Sequence, residues 1–198
     1  MTAIRNLIPI LFAAHILAAC ADTGEAPISR AVAARYVPDG PSYVEVITMI
    51  NNKSGFAEHT GIIISGSQTV LYDPAGTFRY EKLPRRQDVF YGLTPRFGRY
   101  YKRYHARFDY HLEIQRVPVT LEEADALIAS AEKRGATHQL FCARSASDVL
   151  NDVPTFAHVK ESFFPRSILN DVARISGVTT SYVYEDDVGQ NLVVDAGS

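Results

Sequence analysis

The sequence predicts an α+β domain, an antiparallel sheet with helices packed on it. Three observations carry that expectation. Two strand-like stretches, residues 58–65 and 70–73, flank a Gly66-Ser67 turn and read as a hairpin. A capped amphipathic helix follows between Thr120 and Gly135. Two more helical stretches come after it, so strands and helices are largely segregated along the chain. With 198 residues, 46% of them hydrophobic, the chain is long enough for one domain with a proper core. A net charge of -2 gives no general attraction for polyanions.

Residues 1–19 have the layout of a secretory signal peptide. Arg5 supplies the positive end, and residues 7–16 form an apolar run too short to span a membrane. The ending Leu17-Ala18-Ala19-Cys20 resembles a bacterial lipoprotein signal. That resemblance implies that Cys20 is acylated, with chains such as palmitate, and becomes the mature N-terminus. Ala21, rather than an aspartate, follows it, which favours the outer membrane, facing the periplasm. Residues 20–42 are small and polar, with Pro27, Pro38, Gly40 and Pro41, and read as the lipidated N-terminus and a tether. Residues 43–184 form the domain, and residues 185–198 an acidic tail.

Within the domain, residues 43–50 are a strand by composition and partial alternation, and residues 51–55 a turn. The hairpin follows; its first strand carries Ile62, Ile63 and Ile64 in a row and should be buried on both faces. Residues 78–107 interleave arginines and lysines with phenylalanines and tyrosines. Such a segment can bind nucleic acid, but an exported lipoprotein does not meet it, and no nucleic-acid partner is expected. Two readings stay open. One is recognition of an anionic glycan or lipid; the other is a solvated loop with arginines lying over tyrosine faces. Residues 108–117 alternate as a half-exposed strand with His111 on the polar side. Thr120 and Glu123 make a capping box, and Ala124, Leu127, Ile128 and Ala131 form the apolar stripe of the helix it opens. A second helix begins at or near Cys142 and runs through Ala143, Ala146, Val149 and Leu150. Pro165 opens a third, and residues 179–184 read as a last strand.

If Cys20 carries lipid, Cys142 has no partner in the chain. A lone exported thiol is either buried and inert or kept for reactivity. A helix start and a nearby imidazolium both lower a thiol pKa, and helix-start amides can hold an oxyanion. His59 is the candidate base and Asp73 the group that orients it. With a three-residue turn, Ser65-Gly66-Ser67, Ile64 pairs with Gln68 and His59 with Asp73, both on one face. A two-residue turn would put them on opposite faces. Asp73 also suits a local role in the turn Asp73-Pro74-Ala75-Gly76, in which case Glu58 or Tyr72 orients His59. His138 is the second candidate base. It could also pair with Cys142 on zinc, but the other ligands are lacking, so no metal and no cofactor are expected.

The order of these residues resembles a family. A His-x-Gly-Ile-Ile-Ile strand, a polar residue on the next strand and a late helix-start cysteine are similar to the circularly permuted NlpC-type branch of the papain-like superfamily. That branch includes bacterial YiiX/YaeF-like envelope proteins and lecithin retinol acyltransferase. The resemblance spans residues 43–178. It implies a permuted papain-like fold with Cys142 as nucleophile, His59 as base and Asp73 as orienting residue. The implied activity is hydrolysis or acyl transfer at an amide or ester bond. The substrate would be a peptidoglycan fragment or lipid, met at the membrane where the Cys20 anchor holds the protein. The alternative is an inactive member of the same fold that binds an anionic glycan or lipid. Phe141 stands where members often carry asparagine, and Asp73 where they often carry histidine.

Overall fold

The computed structural model describes residues 25–184. The expected signal, Cys20 and the acidic tail lie outside the described residues. Seven strands form one sheet: β1 (Tyr43–Asn51), β2 (Ala57–Ser65), β3 (Thr69–Tyr72), β4 (Arg85–Arg86), β5 (Val89–Phe90), β6 (Tyr110–Pro118) and β7 (Thr179–Tyr184). Their order is β4-β5-β3-β2-β1-β6-β7, and every pairing is antiparallel. Five α-helices accompany them: α1 (Ile28–Ala33), α2 (Pro95–His105), α3 (Leu121–Arg134), α4 (Cys142–Leu150) and α5 (Pro165–Val172). The α+β architecture read from the sequence is present. None of the described helices is long and apolar enough to cross a membrane.

The sheet is covered on both faces, which explains the three consecutive isoleucines of β2. Side chains alternate along a strand, so Ile62 and Ile64 enter one core and Ile63 the other. The first core joins them to Val44 and Val46 of β1 and to α3, α4 and α5 through Leu127, Ala146, Val149 and Ile168. Each fully buried Val, Leu or Ile side chain contributes roughly 1.5–3 kcal/mol. The second core lies under α2, where Ile63, Leu71, Phe78, Tyr101 and Leu112 meet.

Helix α2 is the main departure from the sequence reading. The basic, aromatic stretch was expected as a binding segment or a solvated loop; its second half is an amphipathic helix. Thr94 caps it by accepting from the Phe97 N–H, and Pro95 takes the first turn, where its missing N–H costs nothing. Gly98, Tyr101 and His105 form the buried face. Lys102 and Arg103 lie in the last turn, where positive charge suits the helix dipole. Lys102 also ties the helix to the sheet through Glu45 of β1 at 2.6 Å. The aromatics upstream are core: Phe78 packs against Phe90, Tyr100, Tyr101 and Tyr104.

The tether reading also changes from residue 25 onward. Residues 28–33 are helix α1, and Ala31 is buried in the first core. The Ala26 N–H donates to the Arg85 carbonyl at 2.7 Å, and the Thr69 N–H donates to the Tyr36 carbonyl at 2.9 Å. This segment is held by backbone bonds to the sheet, and its small polar composition carries no trace of them.

Candidate functional site

Helix α4 brings Cys142 to a gap in the sheet. Its buried face is built from small side chains, Ala143, Ser145, Ala146 and Ser147, which allow close packing on β2. Phe141 is the N-cap and makes no side-chain cap, so the first amides of α4 stay available. Leu140, just before it, adopts a left-handed φ of 72° and turns the chain sharply into the helix. On the sheet side, β3 pairs with β2 only as far as Ile62–Tyr72. The next residue turns away, its N–H donating to the Asp88 carbonyl at 2.9 Å. The edge of β2 below Ile62 is therefore left without a strand. The Cys142 thiol lies by that edge, where the backbone N–H groups of Thr60 and of its own neighbour Ala143 favour negative charge on the sulfur. The buried Asp88 carboxylate clamps the two sides together, accepting from the Thr137 N–H at 2.7 Å and the Ala75 N–H at 3.3 Å.

His59 and Asp73 meet on the α2 face of the sheet. His59 Nε2 donates to Asp73 Oδ1 at 2.7 Å, and both residues are buried. The hairpin register that joins them is not the expected one. Ser65 pairs with Thr69 around the loop Gly66-Ser67-Gln68, two positions from the anticipated ladder. A shift of two preserves the face, so His59 and Asp73 remain on the same side. On this register the position opposite Asp73 is Gly61. His59 stands one residue pair further along, next to a bulge at Glu58 where β2 slips against β1. Asp73 serves the turn as well: its carbonyl accepts from the Gly76 N–H at 3.1 Å.

With Nε2 engaged by Asp73, Nδ1 is the imidazole nitrogen left for the Cys142 thiol, which lies close enough to His59 for each group to shift the pKa of the other. Burial alone would depress the His59 pKa. The charge and hydrogen bond of Asp73, aided by Cys142, outweigh it and raise the pKa to about 10. Burial would likewise raise the Asp73 pKa, but His59, His105 and Tyr101 hold it below the ordinary carboxylate value. At Cys142 burial is again overcome, by the His59 hydrogen bond and charge and by the Thr60 and Ala143 amides, and the thiol pKa is lowered. The two opposite shifts favour the thiolate–imidazolium form of the pair over its neutral form.

Two side chains of α2 complete the site, and neither was singled out in the sequence. Tyr101 donates its hydroxyl to Asp73 Oδ1 at 2.7 Å. His105 stacks on His59 with ring centroids 5.4 Å apart and planes 24° from parallel. The signal that would have found them is the Thr94-Pro95 helix start followed by Tyr101 and His105 four residues apart. His59, Asp73 and His105 offer ligand atoms within 4.8 Å of one another, the one such group of three among the described residues. Two histidines on one ion must have ring planes that intersect near it, at about 2 Å from each nitrogen. Stacked rings only 24° apart do not converge in that way, and His59 Nε2 already holds Asp73.

The other candidates lie elsewhere. His138 is exposed, and its carbonyl accepts from the Phe141 N–H. Glu58 is exposed and accepts from the Tyr110 hydroxyl at 2.9 Å. Tyr72 points into the first core, away from His59. Solvent reaches the imidazole through a groove lined by Met49, His59, Gly76, Thr77, Tyr104 and His105. On the cysteine side, Leu140, Phe141, Phe163 and Phe164 are all exposed, and Phe141 meets Phe163 edge-on at 5.4 Å. Phe141 directly precedes Cys142, so this exposed aromatic pair stands at the start of α4. Comparison with family models, with curated proteins and with solved structures found no match for this chain.

Proposed function

We propose that this protein is a thiol-dependent hydrolase or acyltransferase acting on an amide or ester bond through an acyl-Cys142 intermediate. The observation that carries the proposal is the chain of contacts from Cys142 through His59 to Asp73. A helix-start cysteine, a hydrogen-bonded imidazole and a buried carboxylate are the parts that activated-thiol chemistry needs.

The steps follow from the contacts. The Cys142 thiolate attacks the substrate carbonyl carbon, forming a C–S bond and moving the carbonyl π electrons onto oxygen. The Thr60 and Ala143 N–H groups, which favour negative charge on the sulfur, are the candidate donors to that oxyanion. Its collapse breaks the bond to the amine or alcohol, and the His59 imidazolium gives that leaving group its proton. Neutral His59 then takes a proton from water or from an acceptor alcohol or amine, which attacks the thioester and frees Cys142. Asp73 keeps His59 in one tautomer throughout.

The exposed Phe141–Phe163 pair at the start of the Cys142 helix favours a substrate with an apolar arm, such as an acyl lipid. The signal-like residues 1–19 followed by Cys20 support the reading of an envelope protein anchored through Cys20 and facing the periplasm. The resemblance to permuted NlpC-type proteins agrees with the order of His59, Asp73 and Cys142.

The test is labelling with a small thiol electrophile followed by intact-mass detection. With Cys20 replaced by serine, the otherwise wild-type protein should be labelled once, at Cys142, at neutral pH. His59→Ala should slow labelling by roughly 10²-fold, the range of a lost acid–base partner. Equal rates in the two proteins would leave Cys142 as an ordinary thiol and favour a binding module. Incubation with acyl lipids should leave an acyl mass on Cys142 that hydroxylamine removes.

A further inference from the structure

We propose that Tyr101 is a positioning residue of this site: its hydroxyl fixes the Asp73 carboxylate that fixes His59, and Gly61 is the opening that admits it. The inference rests on the thiol chemistry proposed above and adds a fourth member behind it.

Asp73 uses its two oxygens unequally. Oδ1 accepts both short bonds, from His59 and from Tyr101, each at 2.7 Å. Oδ2 is buried and has no partner. One donor would leave the carboxylate free to turn and offer either oxygen to His59. Two donors from different elements on the same oxygen fix its rotation. The Tyr101 ring is itself fixed, fully buried and met edge-on by Phe78 at 5.2 Å and His105 at 4.8 Å. A phenylalanine would fill this part of the core equally well, so packing does not account for the oxygen. A buried phenol needs a partner, and Asp73 is the partner it has.

The route of the hydroxyl explains Gly61. A Cβ at that position would lie 2.1 Å from Tyr101 Oη and 3.2 Å from Cζ. Any other residue in the middle of this strand would push the phenol off Asp73. Glycine weakens a strand interior and marks places where another group approaches closely; here that group is the Tyr101 hydroxyl.

The experiment is the pH–rate profile of Cys142 alkylation by iodoacetamide, in the full chain. Circular dichroism on each variant confirms the fold. Tyr101→Phe should move the profile up by about one pH unit, which lowers the rate about tenfold on its acid side, because a loosened His59 stabilises the thiolate less. Gly61→Ala should do the same with the tyrosine still present, and the double variant should be no slower than Tyr101→Phe alone. A Tyr101→Phe profile identical to wild type would make the hydroxyl a core filler and overturn the inference. A downward move would overturn it too, since it would mean that the hydroxyl only weakens the Asp73 charge. If wild type alkylates like an ordinary free thiol, the thiol chemistry fails and this inference falls with it.

Discussion

His105 should make the protein sensitive to mild acid. It is 7% exposed beneath the His59 ring, and burial pushes its pKa down to about 4; the nearby Asp73 charge opposes that push and does not overcome it. In the unfolded chain it titrates at its ordinary 6.5. Between those values the unfolded state binds the extra proton, so stability falls as pH falls. The difference, 6.5 minus about 4, is about 2.5 pH units, or ~3 kcal/mol at 1.36 kcal/mol per unit, most of it expressed by pH 4.5. The partners act outside this window. His59, with its pKa raised to about 10, contributes stability fully present below 6.5 and lost only as pH rises toward 10. Asp73, with its pKa lowered, contributes stability present above the ordinary carboxylate value and lost only below it. His105→Phe isolates the effect, because phenylalanine keeps the ring stack and takes no proton. Urea unfolding at pH 7 and pH 4.5 measures it. With a slope of about 2 kcal/mol per molar urea, the wild-type midpoint should fall by about 1 M more than that of the variant. Equal acid sensitivity in the two proteins would refute the assignment of His105 as a buried neutral histidine.

Two other outcomes test the site itself. A Cβ at Gly76 would lie 1.8 Å from Asp73 Oδ2 and 2.2 Å from its Cγ; Gly76→Ala therefore must expel the carboxylate, and its alkylation rate should fall to within about threefold of that of Asp73→Asn. A Gly76→Ala protein that alkylates like wild type would show that Asp73 does not support the thiolate. Because the Cys142 pKa is lowered and that of His59 raised to about 10, thiol alkylation should reach half its maximum below the ordinary thiol range. Turnover of an ester substrate should then decline near pH 10 as His59 loses the proton it gives the leaving group. A half-maximum at or above about pH 8.5 would count against the pair.

The local elements were legible because their signals are local. Thr120 and Glu123 close a complete capping box, with Glu123 N–H to Thr120 Oγ1 at 3.1 Å and Thr120 N–H to Glu123 Oε2 at 3.2 Å. Cys142 starts α4 and Pro165 starts α5, as spacing and proline chemistry indicate. The facing of His59 and Asp73 survived an error of two in the hairpin ladder because the side-chain period is two. Helix α2 was missed for a physical reason: its arginines and tyrosines suggest a ligand when read as composition and an amphipathic face when read by angle. Tyr101 and His105 went with it.

The sequence by itself determined the class of fold, the starts of α3, α4 and α5 and the three residue types that thiol chemistry requires, since caps, periodicity and turns depend on neighbours within a few positions. Only the tertiary structure decided how those residues are used. It ended β3 at Tyr72 and so opened the edge that Cys142 occupies. It set Gly61 across from Asp73, and it laid Tyr101 and His105 of α2 on the face of the sheet that carries His59 and Asp73. The contacts of Tyr101 and His105 join segments separated by 28 residues, as for Asp73 and Tyr101, or more. They follow from how two cores pack on one sheet, which no local pattern in the chain records.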